Sequence, residues 1–158
     1  METYRFACAE RLPPSKSRDI TVAEWDKLPG KVIKVSAERP VSALEVKATW
    51  LNIKEGETYF SVPHPTERWN VSKKVTCTWK GLVDDPRFDD QTYKPGTMML
   101  QSLNADTKKQ NCVYGMPMES IISGPLKVRF SAGGIAEEYP QVYYKGDIRI
   151  KLVPAEEQ

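Results

Sequence analysis

Apolar and polar residues alternate with a period of two along much of this chain, and that pattern constrains the fold more than any other feature. Ile33 and Val35 flank Lys34 in KVIKVS; Leu44, Val46, Ala48 and Trp50 alternate with Glu45, Lys47 and Thr49; Val75, Cys77 and Trp79 alternate with Thr76 and Thr78. Further on, Leu126, Val128 and Phe130 alternate with Lys127 and Arg129, and Ile148, Ile150 and Leu152 with Asp147, Arg149 and Lys151. A strand turns successive side chains to opposite faces, so each run offers one face to a core and one to water. The cleanest half-buried strand is Leu44 to Trp50. Tyr4, Phe6 and Cys8 share a face of a first strand, and Thr58 to Val62 is a short strand stopped by Pro63 and Pro65. Met98 to Leu103 and Asn111 to Met116 flank the polar turn NADTKKQN. With turns at Glu55-Gly56 and Gly133-Gly134, about eight short strands are expected. The fold this predicts is mainly β: a single antiparallel β-sandwich, immunoglobulin-like or a related Greek key, with one short helix.

The helix is ITVAEWDKLPG. Thr21 caps it, Glu24 completes a capping box, and Pro29-Gly30 ends it. Trp25 and Leu28 lie on one side, which predicts a short lid docked on the core. A chain of 158 residues makes one domain, 1–158, with residues 1–19 read as an N-terminal strand plus a linker containing Pro13 and Pro14.

Lys and Arg number 23 against 21 Asp and Glu, and the basic residues are spread along the whole chain. Nucleic-acid binding normally shows a denser basic stripe, so no nucleic-acid partner is expected. No run approaches the ~20 apolar residues of a membrane-spanning helix, and METYRFACAERL has no apolar signal core. The chain is therefore either exported with its signal removed, to the periplasm, the cell surface or the medium, or cytoplasmic.

Three cysteines, at 8, 77 and 112, and the single histidine, His64, are too few and too dispersed for a zinc site built from Cys and His alone. In an oxidising compartment Cys77 pairs with Cys112, a disulfide that contributes roughly 3 to 4 kcal/mol, and Cys8 is a buried thiol. The alternative is three reduced core cysteines. Asp84, Asp85, Asp89 and Asp90 surround Pro86-Arg87-Phe88 in a turn-rich loop, and such acids can supply the oxygens calcium needs. Their spacing is not that of an EF-hand loop, and a solvated loop explains the same residues. No cofactor is expected, calcium being the one cation the loop suggests.

No nucleophile signature accompanies His64, which sits between Pro63 and Pro65 and is expected to face solvent, so the chain reads as a non-enzyme. Trp50 and Trp79 fall on apolar strand faces and are expected in the core. Trp69, in a loop beside Arg68 and His64, is expected to be exposed, a stacking or protein-contact hot spot. Tyr139, Tyr143 and Tyr144 form a second candidate platform, with at least one of the last two buried.

The segment YYKGDIRIKL, Tyr143 to Leu152, resembles the closing strand of chaperone-assembled fimbrial subunits. That resemblance implies an incomplete immunoglobulin-like sandwich completed by strand exchange with another subunit, with Tyr4-Phe6-Cys8 as a donor strand. The chain departs from stalk subunits of that family in its 12 prolines, 4 tryptophans and 28% charged residues. The leading expectation is a non-enzymatic exported binding or adhesion module with a protein or carbohydrate partner. The alternative is a structural or assembly protein of an intracellular or viral particle, and a third reading is a small carboxylate- or cation-dependent hydrolase.

Overall fold

The computed structural model describes residues 10–12, 20–38, 42, 44–45, 49–80, 97–103, 110–114, 121–133 and 143–155, and of residues 10–12, 110–114 and 121 the backbone alone. The described residues form a mainly β protein with one short helix. In chain order the elements are β1 (Glu10–Leu12), α1 (Val22–Lys27), β2 (Lys31–Ser36), β3 (Leu51–Ile53), β4 (Thr58–Pro63), β5 (Trp69–Asn70) and β6 (Thr76–Cys77). They continue with β7 (Met98–Leu103), β8 (Gln110–Tyr114), β9 (Ile121–Ser123), β10 (Leu126–Ala132) and β11 (Asp147–Pro154).

The strands make a five-stranded sheet ordered β1-β8-β7-β10-β3, a four-stranded sheet ordered β2-β11-β4-β9, and the hairpin β5-β6. Pairing is antiparallel except where β1 runs parallel to β8, Arg11 lying opposite Cys112. In the four-stranded sheet β11 is central, with Ile150 opposite Ile33 on β2 and Pro63 on β4. Its alternation is the one the sequence predicts: Ile148, Ile150 and Leu152 are buried. They enter one core cluster with Val35, Val62 and Ile122 from the same sheet and Ile53, Met98, Leu100, Val128 and Phe130 from the other. At about 25 cal/mol per Å² of apolar surface, that shared burial is the main force holding the elements together.

Helix α1 forms as its sequence dictates. The Thr21 hydroxyl accepts from Glu24 N (3.1 Å), Glu24 Oε1 accepts from Thr21 N (3.2 Å), and Trp25 is the buried residue of the helix. The chain leaves it through Gly30 at φ +130°, where a Cβ would collide with the Leu152 carbonyl, so only glycine fits between helix and sheet.

Two expectations are corrected. No strand spans Leu44 to Trp50: Leu44 and Glu45 are helical, Thr49 is in a turn, and strand pairing begins at Leu51. Ser42 Oγ accepts from Glu45 N (3.2 Å), the local bond that lets a serine turn the backbone instead of extending it, and Leu44 is left 79% exposed. Trp50 is half-buried and outside the core cluster, whereas Trp79 is inside it. The second correction concerns Arg129, which alternation assigns to water. It is buried, directly opposite Gln101, and its Nη1 donates to Gln101 Oε1 (3.2 Å). Met99 and Ser131 are buried as well, so the five-stranded sheet is covered on both faces here.

Candidate functional site

Two places gather chemistry-bearing side chains, and the first lies beneath α1. Lys151, on the face of β11 that alternation gives to water, is buried because the helix ends over it. Its Nζ donates to the carbonyls of Trp25 (2.7 Å), Asp26 (3.1 Å) and Leu28 (3.0 Å). The last carbonyls of a helix have no partner within it and carry partial negative charge, so an ammonium with three donors is matched to them. The same ammonium sits 4.3 Å from the Trp25 ring centroid, and the Arg149 guanidinium carbon 5.1 Å from it. Trp25 Nε1 donates to Val62 O (2.9 Å), which pins the indole to β4.

His64 was expected at the surface and is instead 6% exposed. Pro63 ends β4 and Pro65 lies in a bend, but the backbone of His64 between them continues the β4–β11 pairing, with His64 N donating to Arg149 O (2.8 Å). The ring is thereby carried under α1, edge-on to Trp25 with centroids 4.7 Å apart. His64 Nδ1 accepts from Thr66 N (3.3 Å) and Glu67 N (3.1 Å), which assigns the proton of the neutral ring to Nε2. Burial, partly offset by the Glu67 carboxylate, holds the imidazole below its ordinary pKa. Burial pushes Glu67 up, but the hydrogen bonds it accepts from Arg149 outweigh this and hold the carboxylate below its usual range. Those bonds are Arg149 N to Oε1 (2.8 Å) and Arg149 Nε to Oε2 (2.7 Å), with Nη2 also 2.7 Å from Oε2.

A buried histidine beside a carboxylate is the raw material of a general base. Here Nδ1 already accepts two backbone protons, Glu67 faces Arg149, and all three protons of Lys151 Nζ are engaged. The Lys151 and Trp25 bonds fasten α1 to the sheet.

The second place is the turn of the β5–β6 hairpin. Trp69 pairs with Cys77 and Asn70 with Thr76. The turn is closed by Val71 N to Val75 O (3.0 Å) and by Ser72 Oγ, which accepts from Val75 N (3.0 Å). Arg68 is exposed at its foot and donates from Nε to Thr76 Oγ1 (2.8 Å) and from Nη2 to Thr76 O (2.9 Å). Across from it, Asn70 N donates to Lys145 O (2.7 Å) and Lys145 N to Asn70 O (3.1 Å). Lys73 Nζ lies 5.7 Å from the centroid of Tyr143. The segments carrying Arg68 and Tyr143 thus lie side by side, whereas His64, read together with Arg68 and Trp69, lies under α1.

Their inner members face the core. Trp69, expected to be exposed, is 0% exposed, and Tyr144 is buried; Tyr143 is 42% exposed. Cys77 is buried. Tyr139, the four aspartates Asp84, Asp85, Asp89 and Asp90, and the side chain of Cys112 lie outside the described residues. Among the described residues no group of three or more His, Cys, Asp and Glu is placed to hold a metal, and no helix is long and apolar enough to cross a membrane. Lys151 and Arg149 carry one sequence signal, a charged residue on every second position of β11, and Glu67, in the loop after β4, carries none.

Comparison with known proteins finds no matching family model, no similar curated protein and no similar solved structure.

Proposed function

We propose that the two sheets are the faces of one jelly-roll sandwich, and that the protein is a non-enzymatic structural or assembly subunit of a particle, acting through contacts of its β surface. The observation that carries this is the strand order. Setting aside β1 and the β5–β6 hairpin, the remaining strands β2, β3, β4, β7, β8, β9, β10 and β11 are first to eighth in the chain. The four-stranded sheet then reads first-eighth-third-sixth, and the other reads second-seventh-fourth-fifth. That is the winding of a jelly roll, in which the chain crosses between sheets at almost every step. An immunoglobulin-like sandwich instead builds each sheet largely from neighbouring hairpins. Of the Greek-key alternatives the sequence leaves open, this order favours the related one.

Jelly rolls recur in capsid and lectin domains, and fold alone does not choose between them. The local chemistry favours assembly: Trp69 and Tyr144, the aromatics that a cleft for a neutral sugar would stack on, are buried, and Lys151 is committed to the end of α1. The exported adhesion module, with its Cys77–Cys112 disulfide, is the second reading, favoured by exposed Tyr143 with Lys73 Nζ 5.7 Å from its ring centroid. The test is self-association of the full chain. Negative-stain electron microscopy and light scattering across ionic strength are expected to show closed, uniform multimers. A monomer under all conditions, with a disulfide revealed by thiol titration, favours the adhesion reading instead.

A further inference from the structure

We infer that the surface formed by the β5–β6 turn and the Tyr143–Lys145 segment binds a sulfated polysaccharide. Lys73, Lys74 and Lys145 are all exposed there, and none of them forms an ion pair with a described acid. Of the described acids close to them in the chain, Glu67 is committed to Arg149, which leaves exposed Asp147, two residues from Lys145, to offset the cations. The basic residues look scattered in the sequence because 73, 74 and 145 are brought together only by the Asn70–Lys145 pairing.

The residue types select the ligand class. Ammonium groups on flexible stems act as movable point charges, suited to anionic groups at varied spacing along a flexible polymer, where rigid guanidinium forks suit fixed planar anions. A single-stranded nucleic acid would also need successive aromatic faces for its bases. Trp69 and Tyr144 are buried, and Lys73 Nζ already lies over the Tyr143 ring, so no such platform exists among the described residues. Sugar rings ask less: the exposed part of one tyrosine packs against their C–H faces while the sulfates meet the lysines. The inference goes beyond the assembly reading and does not depend on it, since a monomer carries the same surface.

The test is fluorescence anisotropy of a labelled heparin octasaccharide with the full chain. Saturable binding is expected, weakening steeply with added NaCl because bound cations are released as the lysines engage. The double variant K73E/K145E is expected to lose affinity roughly tenfold or more, while K31E/K34E, with the same charge change on exposed β2, stays within about twofold of the parent. Y143A is expected to weaken binding several-fold and Y143F to leave it unchanged. The proposal is overturned by absence of saturable binding, by equal losses in the two double variants, or by labelled oligouridylate or polyglutamate binding more tightly through the same lysines.

Discussion

Replacing Lys151 with methionine tests whether the fastening of α1 is worth what its geometry implies. Methionine preserves most of the stem's volume, so packing against Trp25 is largely kept and the ammonium alone is lost. Swapping a buried ion for an apolar residue is sometimes neutral or stabilising, because the desolvation cost of the ion disappears. That argument fails here because the partners of Lys151 are the carbonyls of Trp25, Asp26 and Leu28, which stay where they are. Asp26 is exposed and water can replace its bond, and Trp25 O keeps the bond it accepts from Leu28 N (3.1 Å), so the carbonyl of half-buried Leu28 is the one orphaned. One orphaned carbonyl at about 1 to 3 kcal/mol, plus about 1 kcal/mol of cation–π attraction, less the recovered desolvation, leaves a loss of roughly 1 to 3 kcal/mol. For a domain of this size that corresponds to a Tm lower by roughly 2 to 12 °C. Urea unfolding followed by tryptophan fluorescence measures the loss, and amide exchange over residues 22–28 shows whether it is local. A variant as stable as the parent, with unchanged protection of α1, would show that Lys151 does not fasten the helix.

Three further outcomes follow from the same region. The folded-state pKa of His64 lies below the unfolded value of 6.5, so its stabilising contribution is fully present above that pH and is lost as pH falls from 6.5 through the folded value. H64Q, which keeps an acceptor without titrating, is expected to flatten that part of the stability–pH curve; an unchanged curve contradicts the burial argument. Glu67, also lowered, adds a second loss beginning below its unfolded value of 4.5, and E67Q is expected to remove it in acid titrations. T21A removes the hydroxyl of the capping box and is expected to cost about 1 kcal/mol in urea unfolding, with no change in the pH profile.

How much of this was legible in the chain depends on the range of each interaction. The helix was readable because Thr21, Glu24 and Pro29 act within one turn. The runs that form β2, β10 and β11 were readable because apolar and polar residues alternate along them, β4 because Pro63 and Pro65 stop it, and β7 because a polar turn follows it. The segment Leu44 to Trp50 alternates equally well, yet Leu44 and Glu45 are helical, with Ser42 Oγ accepting from Glu45 N, and the pattern carries no trace of that. Lys151 and Arg129 were assigned to water because alternation knows only the face of a strand. What covers that face comes from far away: Lys151 meets Trp25 across 126 positions and Arg129 meets Gln101 across 28. The same holds for the candidate site. Neighbours in sequence made Trp69 look exposed and the basic residues look dispersed, and pairing of Asn70 with Lys145 reverses both impressions.

The functional reading descends from the strand order, and cross-strand nuclear Overhauser contacts test that order most directly. In uniformly labelled protein the account predicts contacts from β11 to both β2 and β4, with Ile150 reporting Ile33 on one side and Pro63 on the other. It also predicts contacts from β10 to β7 and β3, and none of ladder type between β10 and β11. A β10–β11 hairpin, the arrangement of the last strands in an immunoglobulin-like sheet, would contradict the jelly-roll winding and the assembly role proposed from it.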